Sequence, residues 1–148
     1  MKAYIGIDPG TTGALAIIDA DQKIIGIHDW QELNDDSGAA DIVIHYMALY
    51  DVSAAIELVH SMPKQGVSST FKFADNYGTW KGILAGLRVP RTLVRPQTWQ
   101  KGIISKADGK RATLATARRL WPDAELTLVK HHNRADALLI ADWLRRQP

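Results

Sequence analysis

Three acidic residues stand where an acid needs a reason. Asp8 closes the apolar run Ile5-Gly6-Ile7 and is followed at once by Pro9-Gly10-Thr11-Thr12-Gly13. A carboxylate at the lip of a buried strand, before a tight glycine turn, is held rigidly and close to solvent. Rigid carboxylates suit divalent metals, although an Asp there could do no more than cap the turn through its own backbone. Glu57 interrupts the apolar run Ser53-Ala54-Ala55-Ile56-Glu57-Leu58-Val59. An acid inside such a strand is costly unless it is paired, metal-bound or at the strand's end. The third, Asp136, is placed in the first turn of a C-terminal helix within His131-His132-Asn133-Arg134-Ala135-Asp136. His132 is four residues earlier and so near the same face.

Gathered together with a histidine, three carboxylates repel one another and do not all ionise unaided. A pair of divalent cations resolves the repulsion. Oxygen ligation with one imidazole favours Mg²⁺ or Mn²⁺ over Zn²⁺. Two such ions suit phosphodiester hydrolysis, one readying water and one stabilising the leaving oxygen. His131 and His132 also have a plain reading, as histidines in a basic loop that only meet solvent.

The elements that must position these groups follow from the patterning. Residues 2–8, 13–19 and 23–30 read as strands joined by hairpin-length turns, an antiparallel meander. Residues 31–38 read as loop. Residues 41–50 have helical period, with Ile42, Ile44 or His45, and Leu49 towards a core. Residues 53–59 form a strand, 61–70 a loop with Lys64, and about 69–87 a long helix. On that helix Ala74, Gly78, Gly82 and Gly86 recur every four residues, one stripe without side chains. Each Gly weakens a helix by about 1 kcal/mol, so another backbone is expected there, the sheet or a partner subunit. Residues 91–95 are a strand and 96–101 a short helix with Pro in its first turn. Residues 107–110 are a turn, 109–120 a basic helix, 123–130 a loop and 133–146 the last helix. A meander leading into alternating helix and strand predicts a mixed five-stranded sheet flanked by helices, the ribonuclease H-like arrangement. In it, Asp8, Glu57 and the start of the last helix converge at one end of the sheet.

The length, 148 residues, suits a single domain over residues 1–148. Cysteine is absent, which excludes a disulfide framework and thiolate zinc sites and fits a reducing compartment, the cytoplasm. No apolar run approaches the ~20 residues that span a bilayer, and no basic-then-apolar leader is seen. Net charge is only +2, yet Lys and Arg crowd the second half, which hints at a polyanion.

Four stretches together carry a family resemblance: IGIDPGTTGALAII (5–18), AIELVHSMPKQGVSSTFKFADNYGTWKGILAGL (55–87), LVRPQTWQK (93–101) and HHNRADALLIADW (131–143). The chain resembles the RuvC-type Holliday junction resolvases, particularly the short phage forms. The resemblance implies a homodimer that binds four-way DNA junctions and nicks two opposing strands with Mg²⁺ or Mn²⁺. It assigns metal binding to Asp8, Glu57 and Asp136. The family's fourth ligand lies a few residues before the last Asp: His132 first, His131 second, with Asn133 at a spacing some members use. Phe71 or Phe73 would stack at the opened junction centre, and Lys101 and Lys110 would lie near the scissile phosphate. Lys64, Lys72, Lys106 and Arg111 are further expected DNA contacts. Asp75, an acid near the DNA path, departs from the pattern.

A twofold pair of sites also matches a symmetric junction on physical grounds. One rival is a ribonuclease or general structure-specific nuclease on the same fold. A more distant one is a sugar-kinase-like or actin-like ATP-binding protein, whose phosphate loop residues 6–12 also approximate. Such proteins need two lobes, however, and this length supplies one.

Overall fold

The computed structural model describes residues 1–60, 63–104 and 111–148. The meander forms as expected: β1 (Lys2–Asp8), β2 (Ala14–Asp19) and β3 (Ile24–Asp29) pair antiparallel. Then β4 (Asp51–Glu57) adds parallel to β1, and β5 (Arg91–Val94) parallel to β4, giving the order β3-β2-β1-β4-β5. The helices are α1 (Asp36–Leu49), α2 (Val67–Gly86), α3 (Pro96–Gln100), α4 (Ala112–Leu120) and α5 (His132–Arg145).

Sheet residues alternate between two cores. Ile5, Ile7, Leu15, Ile17, Ala54 and Ile56 pack with α1 and α2 on one face. Ala14, Ala16, Ile18 and Ala55 pack with α3, α4 and α5 on the other. Because both faces are covered, the central strands read as unbroken apolar runs. Small residues on the second face let α5 come close. At Gly6 an added Cβ would run into the backbone of Ala137 and Ala141. Helix α5 is accordingly buried almost all round, from Ala135 through Asp142 apart from Asp136. The fully buried Asp142 is satisfied by Gln22, Arg145 and Arg146, as a buried charge must be.

Several boundaries differ from the sequence expectation. Helix α1 starts at Asp36, inside the stretch read as loop, because the Asp35 carboxylate accepts the Gly38 N–H at 2.9 Å. Ala39, Val43 and Tyr46 face the core, whereas Ile44 and Leu49 are exposed. This helix is apolar on most sides, so periodicity alone did not fix its phase. The Tyr46 hydroxyl lies 2.7 Å from His28 Nε2 and fixes it instead. Strand β4 begins at Asp51 and ends at Glu57, not at Val59. Among the described residues no backbone approaches the stripe on α2: the space above Gly78, Gly82 and Gly86 is open, which removes the sheet as its explanation.

Candidate active site

Asp8 is the last residue of β1 and Glu57 the last of β4. The strands are in parallel register, Ile7 opposite Ile56, so the two acids lie one step further along neighbouring strands. Strand spacing is about 4.8 Å. Alternation from Gly6 and Ala55 turns both towards α5. On α5, Asp136 precedes Ala137, the residue seated on Gly6, so the helix brings its carboxylate to the same end of the sheet. Asp136 lies one turn into α5, because the helix starts at His132 rather than 133.

The three carboxylates sense one another. Burial, then Asp136, then Glu57 push the Asp8 pKa well above the usual carboxylate value. Glu57 is raised to about 7 by burial and by Asp136, against a downward pull from the Trp99 indole. Asp136 is raised to about 6 by burial, against a hydrogen bond from Thr113. Asp136 Oδ1 is buried and has no hydrogen-bond partner among the described residues. Such an orphaned acceptor is uncommon and asks for a ligand. Among the described residues, no three Asp, Glu or His side chains are grouped closely enough to ligate one ion. The donor set, three acids with raised proton affinity and one oxygen unpartnered, nonetheless fits a hard divalent cation by its chemistry.

Three supports escaped sequence reasoning. Trp99 is fully buried, and its Nε1–H donates to Glu57 Oε2 at 2.7 Å, fixing the carboxylate from beneath. Thr113 does the like for Asp136. Asn76 on α2 is buried, and its Oδ1 accepts the Gly10 N–H at 2.7 Å. Gly10 has φ +134, a conformation that favours glycine, and the Phe73 ring lies 3.1 Å from where a Cβ would be. Gly13 is required for another reason, since a Cβ there would strike the Asp8 carbonyl. The turn after Asp8 is thus pinned by α2 from the opposite face of the sheet. A lone Asn on the face of α2 shared with Trp80 and Leu84 was the available signal for Asn76.

The fold has a counterpart among solved structures. Thermus thermophilus RuvC in complex with a Holliday junction substrate superposes with a TM-score of 0.69, covering 97% of this chain and 92% of that one at 17% identity. A second T. thermophilus RuvC structure gives 0.65 over 95% and 92%, also at 17% identity. The fold is that of RuvC. In sequence, 92 residues are 38% identical to the chloroplastic Holliday junction resolvase MOC1 of Chlamydomonas reinhardtii, 60% of this chain. The chain spans about 10% of the length of that protein. No family model matches.

On this RuvC-like, ribonuclease H-like scaffold the remaining candidate residues fall into groups. His132 is exposed and lines a cleft of about 230 Å³ with Thr12, Gly13 and Asn133. His131 is buried and turned to structure: its Nδ1 accepts the Leu128 N–H at 3.2 Å. Burial, then Arg134, lower its pKa. Phe71 is 73% exposed, whereas Phe73 is half-buried against Gly10. Lys72 is exposed in a cleft with Thr11, Ser68 and Ser69. Lys64, Lys101 and Arg111 are exposed, as is Asp75. Lys106 and Lys110 lie outside the described residues. No helix among the described residues is long and apolar enough to cross a membrane.

Proposed function

We propose that this chain is a metal-dependent endonuclease that resolves four-way DNA junctions by paired symmetric nicks, acting as a homodimer in the cytoplasm. The observation that carries the reading is the convergence of Asp8, Glu57 and Asp136, each with a raised pKa, at one end of a RuvC-type sheet. The similarity to a Holliday junction resolvase over 92 residues supports the choice of substrate. The whole chain is taken as one nuclease domain.

Asp8, Glu57 and Asp136 would hold two Mg²⁺ or Mn²⁺ ions, with His132 as the fourth ligand. Bound there, such cations supply a water of lowered pKa and offset charge on the phosphate and the leaving oxygen. The chain's own residues do the positioning. Trp99 and Thr113 each occupy one side of a carboxylate, and Asn76 with Gly13 holds the turn that aims Asp8. Phe71 presents an apolar ring to solvent, suited to stacking on an unpaired base. Lys72 and Lys101 offer cations to the backbone. The open glycine face of α2 supports a second copy as its partner, consistent with a substrate of twofold symmetry.

The test is nicking of a labelled four-way junction in Mg²⁺ and in EDTA, with duplex, flap and RNA–DNA hybrid alongside. Paired symmetric nicks confined to the junction are expected, and none in EDTA. Asp8→Asn and Asp136→Asn are expected to abolish nicking while leaving junction binding in EDTA intact. Wild-type rates from either variant would end the metal-site reading.

A further inference from the structure

Arg134 commits its guanidinium to a residue far away in sequence. Its Nε and Nη2 donate to the two carboxylate oxygens of Asp29 at 2.8 and 2.7 Å, a bidentate pair. Nη1 donates to the Glu125 carbonyl at 3.3 Å. The Glu32 and Glu125 carboxylates lie 3.6 and 3.4 Å away. The side chain is only 13% exposed. With each of its nitrogens engaged, Arg134 is not placed as a free cation for a DNA phosphate.

The two ends of the pair show what it joins. Arg134 is in the first turn of α5, two residues after His132 and two before Asp136. Residues two apart leave a helix on nearly opposite sides, at about 100° each, so the pair acts on the helix rather than on the Asp136 carboxylate. Asp29 is the last residue of β3. In register it stands opposite Ala14, which stands opposite Asp8. The next residue, Trp30, donates its N–H to the Gly13 carbonyl at 2.9 Å, in the turn that follows Asp8. Asp29 and His132 also line the same small cleft.

Further along, α5 is seated by Ala137 and Ala141 on Gly6 of β1. Apolar seating is non-directional, and it lies behind the end that carries Asp136 and His132. The pair fastens that end to the row of the sheet that holds Asp8. A forked guanidinium–carboxylate contact fixes angle as well as distance, which a Lys in its place does not.

We propose that Arg134, clamped by Asp29, is a positioning residue for the metal site: it sets the approach of Asp136 and His132 to Asp8 and Glu57. The inference rests on the metal-site reading above and adds to it two residues that ligate no cation. The sign of the effect separates this role from bulk electrostatics. By charge alone, a guanidinium near three acids repels a divalent cation, so its removal tightens metal binding. As a positioning group, its removal loosens it, as happens with partners outside the ligand shell.

The experiment follows Mn²⁺ binding to the DNA-free full chain by calorimetry and electron spin resonance, below the melting temperature of each variant. Arg134→Gln and Asp29→Asn are each expected to weaken binding by about 10-fold, and the double variant by no more than either alone. Arg134→Lys, which keeps the charge and loses the fork, should weaken it too, and it carries the test if the Gln variant does not fold. Tighter or unchanged binding in the Arg134 variants, with only a lower Tm, overturns the proposal and leaves the pair a structural one. So does a double variant that binds like wild type, the result of opposite charges that cancel. A salt slope of junction binding shallower by about one in Arg134→Gln, with Mn²⁺ affinity unchanged, would make Arg134 a phosphate contact instead. Absence of Mn²⁺ binding by wild type is a different failure, which removes the metal-site reading itself.

Discussion

At the scale of single residues, the acids at the sheet end set the metal-free protein's response to pH. Glu57, raised from 4.5 to about 7, keeps in the native state a proton that the unfolded chain has already released. Its contribution is therefore present below about pH 4.5 and lost as pH rises through 7. Asp136, raised from 3.8 to about 6, acts in the same direction. Asp29 opposes them at the acid end, because its hydrogen bonds from Arg134 hold its pKa down. Its stabilisation is present above its ordinary value and fades as pH falls through the lowered one. Melting curves in EDTA should accordingly show Tm falling from about pH 5 to about pH 8, with Mg²⁺ restoring it at the upper end. Glu57→Gln should be more stable than wild type in EDTA at pH 8 and lose the Glu57 share of the pH slope, with that of Asp8 and Asp136 remaining. A lower Tm for that variant at pH 8 would count against mutual repulsion.

At the scale of elements, α2 does two jobs that its sequence shows only in part. Its first turns carry Phe71 and Phe73, which looked equivalent in sequence, but the structure separates them. Phe71→Ala should move stability by no more than about 0.5 kcal/mol, as for an open surface site, while slowing junction nicking. Phe73→Ala should cost about 1–2 kcal/mol, part of the value of a fully buried Phe, because its ring covers Gly10. Chemical denaturation alongside a nicking assay separates the two, and equal losses of stability would refute the assignment. Asn76 lies one turn further on. Its Nδ2 is buried without a partner among the described residues, a cost of about 1–3 kcal/mol accepted in exchange for the bond to Gly10. Asn76→Ala should raise the Mn²⁺ concentration needed for half-maximal binding to the DNA-free protein, followed by calorimetry or electron spin resonance. Unchanged Mn²⁺ binding would reduce Asn76 to a packing residue.

At the scale of the whole molecule, the smooth face of α2 bears on assembly. Among the described residues nothing lies within 4 Å of a Cβ built at Gly82, so Gly82→Glu is tolerated by the isolated chain and even gains helix propensity. If two copies meet there, the same change drives sedimentation towards the monomer and replaces paired nicks by single ones. A variant that remains dimeric would move the interface elsewhere. Junction binding should also weaken steeply with salt, about 0.9 in log–log slope for each phosphate neutralised. Lys72→Ala should lower that slope by about one unit, uniformly across junction sequences.

By itself the sequence determined the strands of the meander and the order of elements, and it singled out the three acids that the proposed site uses. Each is written in local pattern: an apolar run, a Pro-Gly turn, a lone charge where none is comfortable. It also carried the resemblance on which the choice of substrate leans. The tertiary structure decided what local pattern cannot encode. It fixed the phase of α1, a helix apolar on most sides, through Tyr46 and His28. It put Glu57 at the end of β4, because the register with β1 places that residue beside Asp8. It made His131 a turn-holding residue and left His132 at the surface, though the two are neighbours of one type. It joined Asn76 to Gly10 across 66 positions and Trp99 to Glu57 across 42. Those contacts depend on how helices seat on the two faces of the sheet, and that seating is a property of the packed chain rather than of any segment in it.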